Sequence, residues 1–262
     1  DAVNLAARLE RITREWDVPL LVSAPTLLSL NDPAPFVIRF IDRLQVRGKQ
    51  ETQSIYEVCD ADPAPLRHAK RQTRRLFETA LACYHLGYPD DAADMLRRCL
   101  EAAPDDRPAR IYFARCQQAA AGPVDLLRPW CDDYSTQVEA VDADHRKLLG
   151  ATNTLVEALL AGRRQSLAQD IQTLGRALDD HFEAEEKLMA DASFPFLIEH
   201  AREHRRLRQS YQQFAATAAD DSQDFRHQAF VCQRDVADWL IDHALKSDRR
   251  IAAHLDRRNT AV

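Results

Sequence analysis

Residues 167–189 read LAQDIQTLGRALDDHFEAEEKLM. Within this stretch Leu167, Ile171, Leu174, Leu178, His181, Glu185 and Leu188 recur at steps of four and three, the spacing that lines one face of an α-helix. Two members of that apolar face, His181 and Glu185, are ionisable. They point at a core and not at water. A buried polar group without a partner costs about 1–3 kcal/mol, so these two side chains need something to bind.

Three further stripes repeat the pattern. Leu197, His200, His204, Leu207, Tyr211 and Phe214 form one, and His145, Leu148, Thr152, Leu155 and Leu159 another. The last is Val236, Leu240 and His243, followed by Asp248, Ile251 and Leu255. The polar members fall early on a first helix near residues 142–163 and late on a second at 166–190. They fall early again on a third at 196–219 and late on a fourth at 224–257. In an up-down-up-down bundle with short connections, early and late positions alternate to the same end. His145, His181, Glu185, His200, His204, His243 and Asp248 are therefore expected to meet at one level.

A single histidine on an apolar stripe reads as a hydrogen-bonded core residue; seven converging groups read as metal ligands. His181/Glu185 and His200/His204 are i,i+4 pairs, one turn apart on one face, which suits joint coordination. His243 and Asp248 stand five apart, which on a regular helix separates them by about 140° around the axis. Either a long reach or a local bulge must reconcile them. His254 lies on nearly the same face as His243 but about 16 Å further along the helix, beyond reach of the same metal. His68, His85 and His227 belong to no matching stripe, and Phe182, Leu188, Met189 and Trp239 read as packing around the site.

The phrases DADH at 142–145, HFEAEEKLM at 181–189, HAREH at 200–204 and WLIDHALKSD at 239–248 resemble the hemerythrins, specifically the bacterial single-domain form. The resemblance covers roughly Trp130 to Leu255 and includes the five-residue step to Asp248. It implies a four-helix bundle holding two non-haem iron ions bridged by Glu185, Asp248 and a hydroxide. It further implies that His200, His204 and His243 saturate one iron, while His145 and His181 leave the other a free position for dioxygen. Imidazole ligands by themselves would equally suit zinc, copper or nickel, so iron comes from the resemblance.

With 262 residues the chain is long enough for more than one domain. A net charge of -6 argues against general nucleic-acid binding, whose affinity comes from basic residues meeting phosphates. The basic run Arg67 to Arg75 reads as a solvated helix start. No apolar run approaches the roughly 18 residues a membrane-spanning helix needs. Six cysteines without a C-x-x-C pair fit reduced thiols in a cytoplasm.

Upstream, Leu5, Leu9, Ile12 and Trp16 form a helical stripe, and strand-like runs follow near Leu20 to Val22, Phe36 to Val46 and Gln53 to Cys59. This reads as the end of an α/β domain, and the abrupt opening DAVNLAARLE reads as the tail of something longer. That decapeptide, with VRGK at 46–49 and SIYEV at 54–58, resembles the closing third of a class III adenylate or guanylate cyclase domain. The resemblance implies that Asn4 orients a ribose, that Arg8 stabilises phosphate charge and that Arg47 or Lys49 meets the triphosphate of ATP or GTP. It also implies Mg bound by two aspartates expected upstream, and a homodimer. Thr73 to Asp106 resembles one tetratricopeptide repeat, with Ala80, Tyr84, Gly87, Ala92, Leu96 and Pro104 at the expected intervals. A single repeat cannot bury its own apolar face, so a helix at Arg107 to Ala120 is expected to cap it.

The expected organisation is mainly α: a cyclase-like α/β fragment at 1–62, a helical connector at 63–122 and a hemerythrin-like bundle at 125–262. The expected function is an oxygen or redox sensor that regulates an attached nucleotide cyclase, with dioxygen or another small diatomic as ligand. An oxygen carrier or store, or an iron-binding protein without signalling output, is the alternative. A self-contained oxidase is disfavoured, because five imidazoles and two carboxylates are poor in carboxylate beside the Glu-x-x-His di-iron proteins.

Overall fold

The computed structural model describes residues 2–30, 32–45, 52–118, 125–218 and 224–259. It forms two compact units, Asp1–Asp125 and Leu126–Val262.

The first unit opens with helix α1 (Ala2–Trp16), strand β1 (Leu21–Ser23) and a short helix α2 (Ala24–Ser29). Strands β2 (Ile38–Gln45) and β3 (Thr52–Val58) complete an antiparallel sheet of order β1-β3-β2. Three helices follow: α3 (Ala64–His85), α4 (Pro89–Ala102) and α5 (Arg107–Gln117). Gly87, at φ 83°, turns α3 into α4, a backbone setting that only glycine adopts without strain. Ala80, Ala92 and Leu96 are wholly buried between the two helices. The cap expected at Arg107 to Ala120 is present as α5, with Asp106 accepting from Ala109 N at its start, and residues 119–124 lie outside the described residues.

Charge crosses the interior of this unit. Arg39 on β2 donates through Nε to Glu57 (2.6 Å) and through both terminal nitrogens to Asp106 (2.6 Å each). Lys70 on α3 donates to Glu57 (2.6 Å) and to Asp62 (2.7 Å). The Tyr112 hydroxyl on α5 donates to Ile41 O (3.0 Å). The repeat-like helices are thus bonded to the sheet.

The second unit is a four-rod bundle. Helix α6 (Glu139–Leu160) packs on α7 (Arg164–Asp191), α7 on α8 (Leu197–Ala218), and both α6 and α8 on α9 (Phe225–Cys232). Short connections enforce this antiparallel order. Gly162, at φ 63°, ends α6, and Arg163 N returns to Ala158 O (2.9 Å). Gly175 brings α7 against α8, because a Cβ there would stand 3.1 Å from the Tyr211 ring. The Tyr211 hydroxyl then reaches Ile171 O (2.5 Å).

The fourth rod departs from the single regular helix expected at 224–257. It comprises α9, α10 (Asp238–His243) and α11 (Arg249–Asn259), joined by π-helical turns at Gln233–Ala237 and Ala244–Asp248. Each π turn hydrogen-bonds i to i+5 and so admits one extra residue, which resets the face presented by everything after it.

An extended segment precedes α6 and lies bound to the bundle. The backbone of Arg128 exchanges hydrogen bonds with the Asn153 amide (2.8 and 3.1 Å). Asp142 accepts from Thr136 N and Oγ1 (2.7 Å each) and from Ser135 Oγ (2.6 Å). Arg249 donates to Ser135 O (2.9 Å) and Asp133 O (2.5 Å). Among the described residues no helix is long and apolar enough to cross a membrane.

Removing Arg39 leaves Asp106 buried with only a backbone amide, and breaking such a pair from one side typically costs about 3–5 kcal/mol. Arg39→Met should therefore lower the exchange free energy of the slowest β2 and β3 amides by about that much. Hydrogen exchange on the full chain checks this, with the exposed Arg97→Ala, which leaves these amides unchanged, as control.

Candidate metal centre

The four helical faces bring seven ionisable side chains together in the bundle interior. His145 comes from α6, His181 and Glu185 from α7, His200 and His204 from α8, His243 from α10 and Asp248 from the π turn that follows it. None is more than 4% exposed. The π turn brings the five-residue step back onto one face, and Asp248 Oδ1 stands 3.0 Å from His243 Nε2.

His204 Nε2 and His200 Nε2 each lie 3.1 Å from His243 Nε2. Glu185 Oε2 stands 3.1 Å from His200 Nε2 and 3.2 Å from His204 Nε2. Asp248 Oδ1 is 3.4 Å from His200 Nε2. Donor atoms about 2.1 Å from one ion are about 3.0 Å apart along the edge of an octahedron and about 3.4 Å apart in a tetrahedron. Most of these separations suit the octahedron.

The other oxygen of Asp248 faces a second histidine pair. Asp248 Oδ2 stands 3.2 Å from His145 Nε2, and the rings of His145 and His181 are 4.8 Å apart between centroids. His181 Nε2 lies 4.0 Å from Glu185 Oε2, too far for a hydrogen bond. Asp248 therefore spans the two groups of imidazoles with one oxygen on each.

Whether these residues suit a cation is decided by their hydrogen bonding. His204 Nδ1 meets Glu186 Oε1 at 3.0 Å and His243 Nδ1 meets Glu203 Oε2 at 2.9 Å. A carboxylate only accepts, so each Nδ1 carries a proton, and in the neutral ring each Nε2 then presents a lone pair. With both rings neutral, two such lone pairs 3.1 Å apart would repel unless a proton or a metal ion lay between them. Both ring nitrogens of His145, Nε2 of His181, Oε1 of Glu185 and both oxygens of Asp248 are buried without a hydrogen-bond partner, the nearby ion-pair contacts lacking suitable angles. Groups that cannot satisfy one another can be satisfied together by metal.

The electrostatics agree. Burial holds His181 down to about 4, so that ring is neutral and free to donate its lone pair. Burial opposes protonation of His243 as well, yet Asp248 and Glu203 raise it to about 10, so without a metal ion a proton supplies the positive charge at this ring and would have to leave when a metal binds. Burial and the neighbouring Asp248 push Glu185 upward, but His200 and His204 bring it to about 2. Asp248, despite its burial, is held well below the ordinary carboxylate range by His243 and His145. The pocket keeps both carboxylates ionised and draws positive charge to itself.

Aromatic rings fix the imidazoles. Phe182 stacks on His204 at 4.1 Å and Trp239 on His243 at 4.4 Å, within 17° and 15° of parallel. Met189 lies instead in a cluster with Phe194 and Ile251, against which Leu188 packs. His254 bonds Ala192 O (3.0 Å) and packs on Phe194, away from the seven. Glu186, Glu203 and Ser247 carry no sequence signal of their own, since acidic residues are plentiful on these helices. Only the neighbouring ligand phrases point toward them.

Elsewhere, Glu57, Cys59 and Asp62 also form a buried group of possible metal donors, but the Lys70 ammonium already bonds both carboxylates. Asn4 and Arg8 stand one turn apart on α1. Arg47 and Lys49, expected at a triphosphate, lie outside the described residues.

Two stretches of the chain match known families. Residues 136–255 match the Hemerythrin HHE cation binding domain, and residues 74–116 match the tetratricopeptide repeat. A bacteriohemerythrin of Stenotrophomonas maltophilia is 27% identical over 139 residues, covering 50% of this chain and 86% of that protein. One from Clostridium acetobutylicum is 26% identical over 46% of this chain and 95% of its own length. The terminal-differentiation specific adenylate cyclase of Dictyostelium discoideum is 33% identical over 119 residues, 45% of this chain. An adenylate cyclase of Anabaena cylindrica is 41% identical over 59 residues, 22% of this chain. The chain spans 6% and 12% of those two cyclases. It carries a hemerythrin-like metal-binding domain, with partial similarity to adenylate cyclases.

His181→Ala should release metal far more readily than His254→Ala, because only His181 faces the other six side chains. Metal content after dialysis against a chelator checks it; equal losses would remove His181 from the centre.

Proposed function

We propose that the C-terminal bundle is a non-haem di-iron centre that binds dioxygen and reports oxygen or redox state to an attached class III nucleotide cyclase. The observation that carries the dinuclear reading is Asp248, whose Oδ1 faces His243 and Oδ2 faces His145. On this reading His200, His204 and His243 hold one ion, His145 and His181 hold the other, and Glu185 and Asp248 bridge them. Iron bound there would supply reversible electron exchange with dioxygen. The chain's own contribution is to exclude water, keep both carboxylates ionised and hold each imidazole in one tautomer. With two imidazoles against three, the His145/His181 side has a place to spare for a small diatomic.

A sensing role is supported by the similarity to adenylate cyclases in the same chain. By the resemblance, Asn4 and Arg8 serve a cyclase that takes ATP or GTP with Mg and acts as a homodimer, while Arg47 or Lys49 meets the triphosphate. The helices at 63–122 then act as connector between the pieces at 1–62 and 125–262. A cytoplasmic location belongs to this reading, and six cysteines of which none forms a disulfide support it. The alternative, an oxygen carrier or store, is supported by the two bacteriohemerythrins of which this chain covers 86% and 95%.

The segment before α6 offers coupling a path. Asp142, one turn before His145, and Arg249, directly after Asp248, both grip residues 133–136. His145 and Asp248 face each other, so a change between them strains both grips.

Two outcomes are expected. The iron-loaded protein should contain two irons per chain by metal analysis; one iron, or preferential zinc under iron-replete expression, would end the dinuclear reading. In the intact protein, cyclase rates should differ between deoxygenated and oxidised forms. About 1.4 kcal/mol between the two sensor states suffices for a tenfold change in the ratio of active to inactive enzyme. Arg249→Ala should flatten that difference while retaining metal. Equal rates in every iron state would leave the carrier reading.

A further inference from the structure

The two halves of the centre are supported unequally. On one side His204 Nδ1 bonds Glu186 (3.0 Å) and His243 Nδ1 bonds Glu203 (2.9 Å), and Glu203 also accepts from Ser247 Oγ (2.8 Å). Both glutamates reach solvent, with side chains 32% and 42% exposed. On the other side the His145 Nδ1 is buried and has no hydrogen-bond partner. The nearest acid on its own helix, Asp142, spends its oxygens on Ser135 and Thr136.

We infer that Glu186 and Glu203 are positioning residues that make the two metal positions unequal, so that the His200/His204/His243 position retains its metal while the His145/His181 position exchanges. The inference rests on the dinuclear reading. An anionic acceptor on Nδ1–H locks the imidazole tautomer, orients the ring and raises the basicity of the Nε2 that faces the metal. It also sets a negative charge directly on those two rings, which favours a cation there, whereas Asp142 near His145 has its oxygens bonded to Ser135 and Thr136. His145 has no such support, so its Nε2 is the poorer donor and its ring is oriented by packing only. Arg208 Nη1, 3.5 Å from Glu186, offsets part of that carboxylate's charge. Glu203 meets only His243 and Ser247 among the described residues, so it is the stronger of the two.

The experiment is chelation kinetics on the full chain loaded with ferrous iron under anaerobic conditions, with species counted by native mass spectrometry. The wild type should lose iron in two phases separated by at least about tenfold, through an accumulating one-iron species. His145→Ala should remove the fast phase and keep the slow one. Glu203→Gln keeps an acceptor for Nδ1–H but removes the charge. It should speed the slow phase by roughly 10–100-fold, leave the fast phase nearly unchanged and move the midpoint potential positive. Glu186→Gln should act in the same direction and more weakly, and the exposed Glu199→Gln should do neither. Two irons leaving together, or Glu203→Gln accelerating both phases alike, would overturn the inference and spare the dinuclear reading. A single iron at the start would overturn that reading and the inference with it.

Discussion

Two ionised carboxylates inside a bundle of leucines impose the governing constraint on the C-terminal unit. Taking a carboxylate out of water costs several kcal/mol even after the protein relaxes, and the cost is recovered only against well-placed positive charge. Among the described residues no arginine or lysine pairs with Glu185 or Asp248; the groups around them are imidazoles, whose Nε2 atoms point at one another. The interior is arranged for a cation, and its other features serve that arrangement.

The π turn at Ala244–Asp248 is the first of these. A π turn weakens regular helical bonding, so it persists where something is gained. Here the gain is the return of Asp248 to the face of His243, with one oxygen on each group of histidines. The stacked rings of Phe182 and Trp239 and the outer carboxylates Glu186 and Glu203 are the second. They hold imidazole planes and protons in place before a metal arrives, so that binding does not have to order them.

The N-terminal unit solves the same problem by the opposite means. Glu57 and Asp106 are as buried as Glu185, and Asp62 is buried too, yet Arg39 and Lys70 reach all three with short, charge-assisted hydrogen bonds. That network satisfies itself and ties β2, β3, α3 and the start of α5 together. Self-satisfied charge marks a structural brace, whereas the unsatisfied donors of the bundle mark a place for a ligand.

Much of the bundle is legible along the chain. Apolar steps of three and four place the helices at α6, α7 and α8 within a few residues, because helical periodicity is a local property that each side chain records. The polar interruptions at His145, His181, Glu185, His200, His204 and His243 appear in the same way, and alternation of early and late positions brings them to one level. The five-residue step to Asp248 shows where local reading stops. A regular helix would put it about 140° away, and only the hydrogen bonding of the folded rod reveals the extra residue in the turn. Tautomers, the two-sided contact of Asp248, and the pairing of Glu186 with His204 and Glu203 with His243 depend on how separate helices are rotated against each other. So does the Arg39 network, whose partners lie 18 and 67 residues away. Distances between side chains far apart in sequence are set by packing of the whole core, and periodicity carries no record of them.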